Sequence, residues 1–115
     1  MQTGRLEKLL EFIKNEPNDE FLKYALATEY LRLNETEKAL SYYEDLTTNH
    51  PGYTGTYYHL GKLYEALNRK DDAINTYQTG MKITREKRDM HAFSELQAAY
   101  NAAAGIFGDE DDDDY

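Results

Sequence analysis

His91 and Glu95 stand four residues apart, a spacing that puts an imidazole and a carboxylate on one helix face, within reach of a common metal ion. A zinc site needs three or four such ligands, and no second cluster of histidine, cysteine or acid completes the set. The pair reads instead as a groove or surface histidine with a helical neighbour. The stretch Gly55-Thr56-Tyr57-Tyr58-His59-Leu60-Gly61-Lys62-Leu63 has the outline of a phosphate loop. It has one residue too many between the glycines, and leucine follows the lysine where a hydroxyl is needed. It also falls inside a helical pattern, so Gly61 reads as a packing glycine. Ser41 and Ser94 have no nucleophile motif and no evident base. The cations Lys82, Arg85, Lys87 and Arg88 are diluted by Glu86 and Asp89; at a helix end they complement the dipole. None of these residues proposes an enzyme, a metal site or a cofactor.

Composition narrows the field further. The 115 residues suit one compact domain or a short repeat array. Cysteine is absent, which removes disulfides, thiolate metal sites and thiol catalysis. Near the N-terminus Leu6, Leu9, Leu10, Phe12 and Ile13 are interleaved with Arg5, Glu7, Lys8, Glu11 and Lys14. That is a helical period, too polar for a signal peptide or a membrane span, and a cytoplasmic protein with no membrane partner is the expectation. The formal charge is −9, but six of the 22 acids lie in the run 109–114, leaving 16 against 13 bases before it. So mild an excess of acid over base gives no support to nucleic-acid binding. The acidic segment 109–115 buries no apolar surface and is expected to be a disordered, solubilising tail.

Helical periodicity fills the chain, with no strand pattern of period two. The spacing predicts helices over about 5–15, 20–33, 37–49, 55–67, 71–85 and 90–104, broken at Glu16-Pro17-Asn18-Asp19, Asn34-Glu35-Thr36, His50-Pro51-Gly52 and Asn68-Arg69-Lys70. Asn34 and Asn68 suit the left-handed conformation that ends helices, and Thr36 is a candidate cap for the helix after it. Connections of about three to five residues force neighbouring helices to lie antiparallel.

Two blocks in these helices match at a distance of 34 residues. Tyr24, Leu26, Ala27, Tyr30, Leu33, Asn34, Ala39, Leu40 and Tyr43 answer to Tyr58, Leu60, Gly61, Tyr64, Leu67, Asn68, Ala73, Ile74 and Tyr77. Such a period marks stacked helical hairpins. The small residues Ala27 or Gly61 on one helix and Ala39 or Ala73 on the next let the axes approach, and the larger partners fill the space around them.

These residues resemble the tetratricopeptide repeat, and in particular small bacterial-type proteins of that family. The second copy matches through Tyr57, Leu60, Gly61, Tyr64, Ala73 and Tyr77. The first matches through Leu26, Ala27, Tyr30, Ala39, Tyr43 and Pro51, with Lys23 where a large aromatic is usual. Phe93, Leu96 and Tyr100 restart the spacing with Gln97 in the small-residue slot, and Leu6, Leu9, Phe12, Ile13 and Pro17 look like the second helix of an incomplete repeat. The resemblance implies an all-α fold, a short right-handed α-α superhelix of antiparallel hairpins. It is laid out within a 1–108 domain as a half repeat at about 5–19, repeats at 20–53 and 54–87, and a half repeat at about 90–104.

Helix geometry then separates two faces. With Tyr57, Leu60, Gly61 and Tyr64 as the buried stripe, Gly55, Tyr58, Lys62, Glu65 and Ala66 centre roughly 140° away, at about 100° per residue. Matching positions are Phe21, Tyr24, Thr28, Leu31 and Arg32 in the first copy and His91, Ser94, Ala98, Asn101 and Ala102 in the last helix. In the family this face lines a concave groove, so the resemblance implies a scaffold that binds a peptide or protein segment there. Tyrosine and arginine in such a stripe are typical interface anchors. Some members clamp the carboxylate tail of chaperones with cations on this face, but the corresponding Tyr24, Thr28, His59, His91 and Glu95 supply no fixed positive charge, so that activity is not expected. The competing expectation is a homodimer or larger self-assembly through the terminal helices, where Ala98, Ala99, Ala102, Ala103, Ile106 and Phe107 give the last helix an apolar circumference.

Overall fold

The computed structural model describes residues 4–105. Six helices and no strand occur among them: α1 (Gly4–Asn15), α2 (Glu20–Arg32), α3 (Thr36–Asn49), α4 (Gly55–Ala66), α5 (Lys70–Glu86) and α6 (Met90–Ala104). Every helix lies within one or two residues of its expected span. The chain divides into two compact units, one ending at Thr56 and the other beginning at Tyr57.

In the first unit α2 and α3 form a hairpin and α1 packs on α2. Leu26, Ala27, Ala39, Tyr43 and Leu46 are wholly excluded from solvent, so the small residues of the repeating pattern do sit at the helix contact. Leu6 and Leu9 of α1 are buried as well. In the second unit α5 and α6 form a hairpin, and α4 meets α5 where Gly61 lies against the ring of Tyr77. A β-carbon on Gly80 would fall 2.6 Å from Cβ of Tyr57 and 3.0 Å from Leu96, so this glycine lets both large side chains close over α5.

Three of the turns end their helices in the same way. Asn34, Asn68 and Arg88 have φ of 63°, 61° and 61°. In each case the following amide reaches back five residues: Glu35 N to Tyr30 O, Arg69 N to Tyr64 O, and Asp89 N to Thr84 O. This is the Schellman arrangement, in which a left-handed residue lets two orphan carbonyls of the last turn be satisfied. Gly105, with φ of 75°, ends α6. The helix starts divide differently. Asp19 and Asp89 cap α2 and α6 by accepting from Leu22 N and Ala92 N. Thr36 does not cap α3: the helix begins one residue sooner, Glu35 takes the cap position, and no side chain bonds there.

Two positions that are apolar in the second copy carry buried charge in the first. Lys23, answering to Tyr57, is only 6% exposed, and Glu29, answering to Leu63, only 2%. Lys23 Nζ lies 2.7 Å from Asp45 and 3.3 Å from Nε2 of His50. An ammonium group has no acceptor, so His50 Nε2 accepts and the imidazole proton sits on Nδ1, which faces Glu20 at 3.5 Å. Burial pushes the Asp45 carboxyl up, but the bonds from Lys23 and Asn49 outweigh it and hold the group below its ordinary value. Glu29 is held between Arg32, at 2.5 Å and 3.2 Å, and Arg5 of α1 at 3.3 Å.

Candidate functional site

The face expected to bind is carried by α2 in the first unit and by α4 and α6 in the second. On α2, Phe21 is 61% exposed. Tyr24, one turn on, is half-buried, with its ring 5.3 Å from that of Tyr53 and edge-on to Tyr43 at 6.3 Å; burial raises the pKa of all three phenols. The Thr28 hydroxyl donates to the Tyr24 carbonyl at 3.0 Å, which leaves the Tyr43 hydroxyl to donate to Thr28 at 3.3 Å. Leu31 is half-buried. Arg32 is exposed, but its guanidinium is committed to Glu29. The face of α2 therefore offers aromatic surface at Phe21, Tyr24 and Tyr53, while its cation has an internal task.

In the second unit the residues converge. Tyr58 and Lys62 of α4 face Glu95, Ala98, Ala99 and Ala102 of α6 across a cleft of about 320 Å³. Lys62 Nζ lies 5.7 Å from the centre of the Tyr58 ring, close enough for cation–π attraction to hold the ammonium against that wall. Alanines form the floor because the α6 register turns Leu96 and Ala103 inward and leaves Ala98 and Ala102 outward. At the far wall Glu95 contacts His91 at 3.4 Å. His59, beside Tyr58, has its pKa lowered by burial, with Glu95 opposing the shift. Among the described residues no group of three or more potential metal ligands forms.

The remaining expected residues lie outside this cleft. Glu65 is half-buried and accepts the hydroxyl of Tyr77, whose pKa rises through burial and then through that carboxylate. His91 and Ser94 are exposed and Asn101 is half-buried on α6. Glu95 and Ala99 also line the cleft and were not among the expected site residues, although the spacing from His91 had set Glu95 on the same helix face. The apolar circumference expected of the last helix is half consumed by packing, since Ala99 and Ala103 are only 6% and 8% exposed. Ile106, Phe107 and the segment 109–115 lie outside the described residues.

A family model described as subunit 3 of the anaphase-promoting complex, cyclosome, matches residues 4–80. The crystal structure of a tetratricopeptide repeat domain protein from Salinibacter ruber superposes with a TM-score of 0.74 at 48% identity, covering 78% of this chain and all of that one. The chain is a tetratricopeptide-repeat protein. It belongs to the family that model describes, one of tetratricopeptide type. A solution structure of a tetratricopeptide repeat domain protein from the same organism matches at 46% identity, covering 83% of this chain and 96% of that one, again with a TM-score of 0.74. A Bordetella parapertussis protein shares 20% identity over 90% of both chains, with a TM-score of 0.75. MamA shares 20% identity over 88% of this chain and 54% of its own, with a TM-score of 0.68; these two likenesses concern the fold alone. No curated protein matches the chain. Tetratricopeptide-repeat proteins are in general protein–protein interaction modules rather than enzymes, and no helix among the described residues is long and apolar enough to cross a membrane.

Proposed function

We propose that this repeat protein is a small non-enzymatic adaptor that binds a peptide or protein segment on the outward faces of its first helices. In this reading residues 5–19 and 90–104 are half repeats flanking full repeats at 20–53 and 54–87. The observation that carries it is the α4–α6 cleft, which Tyr58, Lys62 and Ala98 line together. An aromatic wall with a polar tip, a cation beside it and a floor of small side chains supply contact area and orientation at little ordering cost. The exposed Phe21 beside Tyr24 gives α2 a further aromatic contact surface. Cytoplasmic residence fits this role and the absence of cysteine.

Self-assembly is the second reading, favoured by Phe12 of α1, which is 55% exposed beside a hollow of about 480 Å³ lined by Arg5, Lys8 and Leu9. The packing register argues against completing a split repeat between copies. Arg5 stands 34 residues before Ala39, and Gln97 takes the slot of Ala27 and Gly61. A long polar side chain at each terminal small-residue position keeps a further helix from closing there, as terminal repeats need. Sedimentation at micromolar concentration separates the readings, a stable dimer favouring the second.

The adaptor reading is tested by co-purification from the native host with wild type and with the double variant Tyr58→Ala, Lys62→Ala. Loss of specific partners with an unchanged melting temperature is expected. Equal recovery would remove the site from this face. Arg32 is unsuitable for such a test, because truncating it strips a partner from buried Glu29.

A further inference from the structure

Resting on the adaptor reading, we infer that the α4–α6 cleft takes a short extended peptide segment bearing one basic and one acidic side chain around a small apolar residue. Size limits what the cleft can hold. From Glu95 to Ala102 the α6 wall runs about 10 Å at 1.5 Å per residue, the length of roughly three residues of extended chain. Its volume of about 320 Å³ stands at the low end of ligand pockets, which fits a tripeptide and not a whole helix. The floor is made of alanine methyls. Large apolar anchors find no deep hole there, whereas a small apolar side chain covers the methyls without leaving a void.

Charge sets the ends. Glu95 opens the α6 wall, opposite Tyr58 and Lys62 of α4. Lys62, three residues beyond His59, stands about 4.5 Å further along the helix, held at the Tyr58 ring. The cleft thus carries an anion at the start of its α6 wall and a cation on its α4 wall. His59 is held toward its neutral form by burial, and the exposed His91 of α6 faces Glu95 at 3.4 Å. A bound segment is oriented by this pair: its basic side chain goes to Glu95 and its acidic one to Lys62, and the reversed sequence meets like charge at both ends. The first copy has no equivalent, since Thr28 stands in the slot of Lys62 and is bonded to Tyr43.

The test is selection from a random peptide display library on the full chain, followed by affinity measurements on the enriched peptides at low and high salt. Wild type is expected to enrich peptides with a base and an acid flanking a small aliphatic residue, in one order only. Lys62→Glu should weaken those peptides about fivefold or more and select a base where the acid stood, and Glu95→Lys should do the converse. Ala98→Trp, an exposed position, should fill the cleft and abolish binding without unfolding the chain. Enriched peptides that lack the charge pair but lose binding with Ala98→Trp would overturn the charge assignment and leave the adaptor reading intact. Peptides indifferent to Ala98→Trp would overturn the cleft as their site. Failure to enrich any peptide would count against both.

Discussion

The ring of Tyr77 occupies the place where a side chain on Gly61 would begin: a β-carbon there would lie 2.1 Å from Cε1 and 2.6 Å from Cζ. Tyr77 is fully buried, and its hydroxyl emerges to donate to Glu65. The glycine therefore sets how close α4 and α5 come, and the tyrosine hydroxyl ties the contact to the outer face of α4.

Gly61→Ala should destabilise the protein by about 1–3 kcal/mol through overpacking, although alanine is the better helix former by about 1 kcal/mol. Chemical denaturation measures the difference. Tyr77→Leu in the alanine background should recover part of the loss. A Gly61→Ala variant as stable as wild type would mean that the ring moves aside and that the small residue does not set the spacing.

Arg88 has φ of 61°, where an L-residue with a β-carbon is strained by about 1–2 kcal/mol. Arg88→Gly should raise stability by about 0.5–1 kcal/mol, the entropy of glycine offsetting part of the relief. Thermal unfolding checks this. A lower melting temperature would show that the arginine side chain contributes more than its backbone costs.

Glu29 is buried while Arg5 and Arg32 have side chains 64% and 60% exposed. Removing either kind of partner therefore has unequal consequences. The double variant Arg5→Ala, Arg32→Ala leaves a buried carboxylate without its cations and should cost about 3–5 kcal/mol. Glu29→Leu, which copies Leu63, only returns two arginines to water and should be close to neutral. Equal losses in the two variants would contradict the burial asymmetry.

Asp45 is held below its ordinary pKa, so its folded form favours the ionised state. The stability this pairing contributes is present in full above the unfolded carboxyl value, about 3.9, and is lost as pH falls through the lowered folded value. The swap Lys23→Tyr with Asp45→Thr installs the second-copy residues Tyr57 and Thr79. Between pH 7 and pH 3 it should lose less melting temperature than wild type. An identical acid profile would show that the pair contributes no net stability.

The elements were legible in the sequence because their determinants are local or periodic. Pro17, Asn34, Pro51 and Asn68 mark the breaks, and Ala27, Ala39, Gly61 and Ala73 mark the helix contacts. The buried charges were not legible, since Lys23 finds Asp45 22 residues away and Glu29 finds Arg5 24 residues before it. Only the fold brings those partners within reach. Arg88 escaped notice because arginine has no preference for the left-handed region, which here is enforced by the same hydrogen bonds that serve the two asparagines. Of the candidate face, helical geometry and the repeat match put Tyr58, Lys62 and Ala98 on outward stripes, but they did not show that Glu65, Thr28 and Arg32 are engaged in bonds of their own.

Whether partners seat in the cleft between α4 and α6 is read out by photo-crosslinking in the native host. A compact alkyl-diazirine amino acid, about the size of leucine and too small to fill the cleft as tryptophan would, would be placed at Ala98 on the cleft floor in one protein and at exposed Thr79 of α5 in another. Discrete crosslinked partners are expected from position 98, vanishing with Tyr58→Ala, Lys62→Ala, and none from position 79. The same crosslinks from position 79, or none from 98 under conditions where partners co-purify, would contradict binding in the cleft.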